Sequence, residues 1–202
     1  MTEPNPLSPE YERQRLFALH WNESRVPNAL EEPHPEYLAI RKGLQGIQKL
    51  ITAIEFHGPA GPAAQQPRPG AVLLGICGNA GTGKSTLGVE LMRLAAPSVT
   101  VRYTTMENYV RAADVRHADW ESLCIEFQFP KLLVIDDVYH QDRVVHRKIF
   151  EQLVVDRCNA LRWTIVIANE PAENFGATIG PSLTDRLSAP IIALTGKSHR
   201  KP

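Results

Sequence analysis

Residues 78–85 read Gly78-Asn-Ala-Gly-Thr-Gly-Lys-Ser85 and fit the phosphate-binding pattern G-x-x-x-x-G-K-[ST], the P-loop, without a mismatch. Small residues let successive backbone N–H groups curl around a phosphate without Cβ clashes. Lys84 is suited to neutralise β- and γ-phosphates, and the Ser85 hydroxyl is a hard oxygen ligand for Mg²⁺. The predicted nucleotide cradle comprises Gly78, Asn79, Ala80, Gly81, Thr82, Gly83, Lys84, Ser85 and Thr86.

The residues on either side of this loop have the order strand, loop, helix that a P-loop requires. The apolar stretch 71–77 predicts a buried strand. After the loop, Leu87, Leu91 and Leu94 recur at helical spacing. Pro97 then ends the predicted helix. A glycine-rich turn that binds nothing is the alternative, and both the spacing and the flanking elements disfavour it.

Composition bounds the class of protein. The chain has 202 residues, enough for one α/β domain with a short extension. Its 22 basic and 22 acidic residues cancel, which argues against a strongly basic nucleic-acid coat but not against a local basic site. The N-terminus lacks the pattern of a signal peptide, and no apolar run approaches the roughly 20 residues needed to span a bilayer. We therefore expect a soluble, cytoplasmic protein without a membrane partner.

The three cysteines, Cys77, Cys124 and Cys158, are odd in number and far apart. No C-x-x-C pair occurs, so the sequence suggests neither a zinc site nor a disulfide framework. We expect each cysteine to be a small, buried, apolar residue.

Short apolar runs alternate with helical patterns along the chain, which predicts an α/β fold with a parallel five-stranded sheet flanked by helices. The predicted strands are 71–77, 99–104, 131–136, 163–168 and 191–194. The predicted helices of this part are 86–96, 106–113, 119–127, 144–158 and 183–187.

The first 70 residues predict a short helical extension. We expect a helix over 9–22, an extended proline-rich connector over 26–35 and a second helix over 36–56. The predicted division is an N-terminal extension, 1–35, and a nucleotide-binding domain, 36–202, whose loop 58–70 is flexible. Trp21 on the first helix is expected either to anchor a partner protein or to pack on its own domain.

Two adjacent acids follow a buried strand in Leu132-Leu-Val-Ile-Asp136-Asp137. Ligands of open α/β sheets bind at the carboxyl ends of the strands. Asp136 is therefore expected to hold Mg²⁺, as a Walker-B acid does, and Asp137 to orient or activate the attacking water. Two acids at a solvated strand end are the alternative, which the upstream P-loop disfavours.

Asn169 ends the next predicted strand, 163–168. On a neighbouring strand, its amide would lie beside the γ-phosphate or the attacking water. The alternative is a turn-forming asparagine before Glu170 and Pro171. The residues themselves do not decide between the two roles.

The order of these elements resembles that of AAA+ ATPases. P-loop, adjacent acids, strand-end asparagine and then Leu183-Thr-Asp-Arg-Leu187 occur in the AAA+ order. The details are similar to the DnaC/IstB branch of helicase loaders and transposition helper ATPases. The stretch Tyr103-Thr-Thr-Met-Glu-Asn-Tyr109 of this chain resembles the strand and helix that follow the P-loop in that branch. The ending Ile191-Ile-Ala-Leu-Thr-Gly-Lys-Ser-His-Arg200 resembles its last strand and Gly-x-Ser-x-Arg close.

The resemblance implies an ATP- and Mg²⁺-dependent ATPase that forms a homo-oligomer on ATP binding. By it, Arg186 is the arginine finger that reaches a neighbour's γ-phosphate, and Arg200 is a nucleotide-contacting sensor arginine. A guanidinium suits this role because its fixed fork matches phosphate oxygens. Departures from the pattern are Asp137, where many AAA+ proteins have Glu, and a helical lid that is reduced or absent. The shorter acid implies slow hydrolysis.

The function implied is a loader of a replicative DNA helicase that acts on single-stranded DNA. The alternatives are an IstB-like helper that delivers a transposase and, in another class, a small-molecule P-loop kinase. A site for single-stranded DNA needs at least a basic groove with an aromatic side chain. An ordinary solvent-exposed helix face can have the same composition. The candidates are Tyr109, Arg111, Arg116, His140, Gln141, Arg143, His146, Arg147 and Lys148.

Overall fold

A computed structural model describes residues 8–57, 70–115, 119–139 and 144–196. Five parallel strands form one sheet in the order β2-β3-β4-β1-β5. The strands are β1 (Val72–Gly78), β2 (Val101–Thr105), β3 (Leu132–Val138), β4 (Trp163–Ala168) and β5 (Ile192–Leu194). The prediction of an α/β fold with a five-stranded parallel sheet is thus confirmed.

Helices cover both faces of this sheet. In chain order they are α1 (Pro9–Asn22), α2 (Pro35–Ala39), α3 (Gln45–His57), α4 (Lys84–Ala95), α5 (Met106–Val115), α6 (Trp120–Leu123), α7 (Val144–Asn159), α8 (Ala172–Ile179) and α9 (Pro181–Thr184). A 3-10 turn, Asn28–Leu30, lies in the connector before α2, and a π-helical turn, Cys124–Gln128, extends α6.

The core has two halves because successive side chains of a strand point to opposite faces of the sheet. Leu132 and Val134 of β3 pack on the half that includes α3 and α4. Leu133 and Ile135 of the same strand pack on the half that includes α5, α7 and α8. This double burial explains why the strands are continuously apolar in sequence.

The structure differs from the sequence prediction in two predicted helices and in one helix that was not predicted. The helix expected over 36–56 is two helices, α2 and α3, joined by a hydrogen-bonded turn in which Leu44 N–H donates to Arg41 C=O at 3.0 Å. Gly43 has low helix propensity and Ile40 is 78% exposed, so neither local propensity nor burial of Ile40 favours a continuous helix here. The helix expected over 183–187 ends instead at Thr184.

The third difference is α8, which the sequence did not reveal. Its apolar residues Phe175 and Ile179 lie four residues apart, as on one face of a helix. Gly176 within the segment and the prolines near both ends are unfavourable in helices, so this short pattern did not predict one. Phe175 and Ile179 are buried, and Phe175 packs against β1. Tertiary burial therefore maintains a helix that its composition does not favour.

The N-terminal segment packs on the domain along the exposed edge of β2. The Tyr103 N–H donates to the Ser24 carbonyl at 2.7 Å, which satisfies a backbone group at the sheet edge. Trp21 stacks on Phe17 with ring centroids 5.5 Å apart, and the Arg93 guanidinium lies over the Trp21 ring at 4.2 Å. Of its two expected roles, the structure thus has Trp21 packed on its own domain.

Two smaller features bear on the sequence predictions. Cys77 and Cys124 are buried as expected, whereas Cys158 is only half-buried because it lies near the exposed end of α7. Within the described ranges, none of the helices combines the length and the apolar character that crossing a lipid bilayer demands.

Candidate functional site

The loop that follows β1 has the backbone conformation of a phosphate cradle. Gly78, Gly81 and Gly83 all have positive φ angles, of 137°, 80° and 85°. A Cβ at Gly78 would lie 2.1 Å from the Leu194 carbonyl oxygen, and one at Gly83 would lie 2.2 Å from a Tyr37 ring carbon. Larger residues at these two positions would thus meet both strain and clash.

Lys84 and Thr82 point into the curve of the same loop. The Lys84 ammonium donates to the Asn79 carbonyl at 2.7 Å, and the Thr82 hydroxyl donates to the same oxygen at 2.9 Å. Lys84 is 5% exposed and is the first residue of α4. A buried cation at a helix N-terminus increases the positive potential that already favours an anion there.

The two acids lie on the neighbouring part of the same sheet edge, but in different environments. Asp136 is 3% exposed and accepts hydrogen bonds from the Tyr103 hydroxyl at 2.5 Å and the Asp137 N–H at 2.7 Å. Asp137 is exposed and has a positive φ of 53°. The pairing of β3 with β4 is irregular between Ile135 and Val138, so β3 continues past both acids to Val138 instead of ending at them.

This irregularity lies beside the two acids. A bulge turns successive side chains away from strict alternation, and bulges are frequent beside active sites. Asp136 beside this irregularity is buried, and Asp137 is exposed. The left-handed backbone at Asp137 costs on the order of 1–3 kcal/mol, a strain that stability alone does not explain.

Asn169 follows β4 and lies beside the second acid. Its amide N–H donates to a carboxylate oxygen of Asp137 at 2.8 Å. The order of β3 and β4 in the sheet thus brings Asn169 beside Asp137. A role toward phosphate or water stays a prediction.

Arg186 lies away from this group. Its guanidinium donates to the Ser182 carbonyl at 2.8 Å, and its side chain is exposed. Ser188, two residues on, accepts from the Leu73 N–H at 2.8 Å, at the start of β1. The P-loop follows the other end of β1. Arg200, the expected sensor, lies outside the described residues.

The described candidates for DNA binding differ in exposure and in the side chains that they contact. Tyr109 is 7% exposed and packs edge-on against Phe127, so its ring is not available to stack on a base. His146 lies 3.2 Å from Asp114, and Arg147 pairs with Glu151 at 2.9 Å. Arg111 and Lys148 are exposed. Arg116, His140, Gln141 and Arg143 lie outside the described residues.

Sequence analysis missed one residue of the site, Tyr103. Its phenol donates a hydrogen bond to Asp136, and the Ser85 side chain lies beside it. Burial and the nearby charge of Asp136 raise the pKa of Tyr103, so the phenol keeps its proton at neutral pH. Only the strand register reveals the contact, because Tyr103 pairs with Val134, two residues before Asp136.

The residues at this edge fit a magnesium nucleotide. Within the described residues no group of three or more His, Cys, Asp or Glu side chains forms a metal cage. A Mg²⁺ ion that binds with a nucleotide needs only one or two protein ligands, since phosphates and water supply the rest. Ser85 and Asp136 are oxygen ligands of that kind; Asp136 is hydrogen-bonded to Tyr103, and Ser85 lies beside the same phenol.

Several solved structures have a fold similar to that of this chain. DnaI matches with a TM-score of 0.58 and 18% identity over 88% of this chain and 95% of that chain. The DnaC helicase loader matches with a TM-score of 0.53 and 15% identity over 86% of this chain and 98% of that chain. The replication initiator DnaA bound to AMPPCP and single-stranded DNA matches with a TM-score of 0.55 and 16% identity over 81% of this chain and 51% of that chain.

Neither a protein-family model nor a curated protein sequence matches the chain. The similarity is therefore one of fold, which agrees with the resemblance in its motifs. On this basis the chain has the AAA+ fold in the form seen in DnaC and DnaI.

Proposed function

We propose that this chain binds ATP with Mg²⁺ at the C-terminal edge of its sheet and hydrolyses it. The observation that carries the proposal is the meeting of Lys84, Asp136 and the Asp137–Asn169 pair at the ends of neighbouring strands. A P-loop alone indicates phosphate binding, whereas a cradle combined with a buried and an exposed acid is what hydrolysis requires.

Each residue then has a distinct task. The loop N–H groups and Lys84 bind the phosphates, and Ser85 and Asp136 are the residues that would hold Mg²⁺. The ion, when bound, supplies positive charge that stabilises the negative charge on the transferring phosphoryl group. Asp137 accepts the hydrogen bond of the attacking water, and Asn169 holds the Asp137 carboxylate in place.

Arg186 is proposed to act on a neighbouring copy of the chain. Its segment is hydrogen-bonded at Leu73, whereas the chain's own cradle begins at Gly78. Five residues of strand span about 17 Å, more than an arginine side chain reaches. An arginine finger contributed in trans would make hydrolysis depend on assembly, and Arg186 is exposed and able to meet a partner.

The proposed biological role is loading of a replicative DNA helicase onto single-stranded DNA. The support is the fold shared with the DnaC helicase loader along nearly the whole of both chains, 86% and 98%. In this proposal ATP binding controls assembly of the chain on the helicase, and hydrolysis ends that state. The contacts to DNA would come from surfaces other than Tyr109.

The test is capture of a purified replicative helicase by the immobilised chain with ATP, with ADP and without nucleotide. We expect capture to depend on nucleotide and to fall when Lys84 is replaced by alanine. Failure to bind the helicase under every condition would contradict the loader role. Retention of a transposase instead would favour the transposition-helper alternative, and phosphorylation of a small molecule would favour the kinase.

A further inference from the structure

One phenol lies beside the two side chains that are expected to bind Mg²⁺. We propose that Tyr103 is a positioning residue that holds Asp136, beside Ser85, in the orientation that binds Mg²⁺ together with the nucleotide. The inference rests on the proposed ATP-binding function and adds to it a residue, on a third element, that sets the magnesium dependence of binding.

The contacts of Tyr103 are the first support. Its hydroxyl donates to Asp136 Oδ2 at 2.5 Å, and the Ser85 side chain lies beside the phenol. Tyr103 is 7% exposed and Asp136 is 3% exposed, so water competes little with the bond between them.

The fold explains why a tyrosine reaches Asp136 and lies close to Ser85. Tyr103 pairs with Val134, and Thr105 pairs with Asp136, so Tyr103 and Asp136 lie on the same face of neighbouring strands. That face is the one covered by α4, whose second residue is Ser85. A side chain as long as tyrosine spans the diagonal between the two strands.

The hydrogen bonds at Asp136 have a physical consequence for metal binding. The Tyr103 hydroxyl uses one carboxylate oxygen, and the Asp137 N–H uses the other. Each oxygen keeps a second lone pair, and the carboxylate can no longer rotate freely. A metal ligand held in one orientation loses less entropy on binding, which is why such outer contacts affect metal affinity.

The backbone of Tyr103 is itself fixed. Its N–H donates to the Ser24 carbonyl at 2.7 Å, so the edge strand β2 is held by the N-terminal segment. The phenol is therefore supported from a rigid strand and not from a loop, which is the condition for positioning a site residue well.

The opposite role for this phenol would be competition. A hydroxyl that occupies Asp136 would weaken magnesium binding if it had to leave before the ion arrived. The two roles predict opposite signs for the same substitution. Tyr103→Phe should weaken the effect of magnesium if the phenol positions Asp136 and should strengthen it if the phenol competes.

The experiment is a titration of fluorescently labelled ATP into the full chain, from EDTA through increasing magnesium chloride. We expect Tyr103→Phe to raise the magnesium concentration for half-maximal enhancement about tenfold. Affinity in EDTA should not change, because the loop and Lys84 are intact. Thr104→Val is the matched control, since it removes the neighbouring buried hydroxyl, which faces away from Asp136, and should leave both values unchanged.

The outcomes separate this inference from the proposed function. If the wild-type chain binds no ATP, the proposed function is wrong and the inference is wrong with it. If it binds ATP but Tyr103→Phe leaves the magnesium requirement unchanged or lowers it, only the inference is overturned. A variant that is merely unfolded would lose binding in EDTA as well, an effect that an intact positioning variant does not have.

Discussion

Two polar clusters lie at opposite edges of the same sheet and differ in what their side chains bind. At the N-terminal edge, Arg157 is 1% exposed and donates to six acceptors of its own chain. These are the Thr164 hydroxyl and the carbonyls of Phe127, Gln128, Pro130, Lys131 and Trp163. Burial and the charge of Arg162 lower the pKa of Arg157 to about 9, so it stays charged at neutral pH.

The C-terminal edge has the opposite character. Asp136 and Asp137 carry like charges on adjacent residues, and the backbone of Asp137 is left-handed. The loop beside them has positive φ angles at Gly78 and Gly83. Such features lower the stability of the protein without a ligand. They are explained if this edge binds a ligand that carries phosphates and a metal. The comparison indicates that one edge stabilises the fold and the other serves function.

The largest expected effect tests the structural edge. Arg157→Met leaves several buried carbonyls without a donor and should lower the free energy of unfolding by about 4 kcal/mol. Arg162→Met, at the same edge but half-buried, is the control and should cost less than about 1 kcal/mol. Urea denaturation measures both. Equal effects of the two substitutions would contradict the distinction between a buried network and a surface arginine.

The next effect concerns the functional edge across two copies. Arginine fingers contribute about 10³–10⁵ in rate in GTPases, and the shorter Asp137 implies a smaller effect here. Arg186→Ala should therefore reduce ATP hydrolysis about 100-fold while leaving ATP affinity unchanged. Steady-state ATPase rates and ATP titrations measure the two quantities. Arg162→Met serves again as the control and should leave both unchanged.

A mixing experiment sharpens this prediction. Arg186→Ala lacks the finger but has an intact cradle, whereas Lys84→Ala has the finger but lacks the cradle's lysine. Mixing the two should restore part of the ATPase activity, and the restored part should grow with protein concentration. Full activity of Arg186→Ala alone at every concentration would favour an isolated monomeric enzyme.

A smaller effect should separate binding from chemistry. Asp137→Asn keeps the size of the side chain but removes the charge that polarises water, so hydrolysis should fall by about 10²-fold or less while ATP still binds. ATPase rates and ATP titrations measure this split. Loss of ATP binding instead would mean that Asp137 is a metal ligand and that the roles assigned to the two acids are wrong.

The smallest expected effect is that of Asn169→Ala. Its hydrogen bond to Asp137 is exposed, and such bonds contribute about 0.5–1.5 kcal/mol, so hydrolysis should slow by about threefold to tenfold. ATP affinity should stay within the error of the titration. A loss as large as that of Asp137→Asn would indicate that Asn169 contacts water or phosphate directly.

Local chemistry explains which parts of this molecule were predictable from sequence. The P-loop and the parallel sheet follow from residue spacing, and the position of Asp136, Asp137 and Asn169 at strand ends follows from the apolar runs before them. The hydrogen bond between Asp137 and Asn169 was not predicted. The α2–α3 turn was predicted wrongly as continuous helix, and α8 was missed. In both segments local propensity is weak, so tertiary burial decides which residues are helical. Tyr103 was missed as a site residue because its contact depends on strand register, which spacing along the chain does not reveal.

The central claim is that the C-terminal edge of the sheet binds ATP through Lys84. A titration of fluorescently labelled ATP into the wild-type chain and Lys84→Ala, in magnesium, tests it most directly. Lys84 makes a charge-assisted contact worth roughly 1.5–3 kcal/mol, so ATP should bind the variant at least tenfold more weakly. The unfolding free energy should not fall, because Lys84 serves the ligand rather than the fold. Unchanged ATP affinity in a folded Lys84→Ala variant would contradict the account.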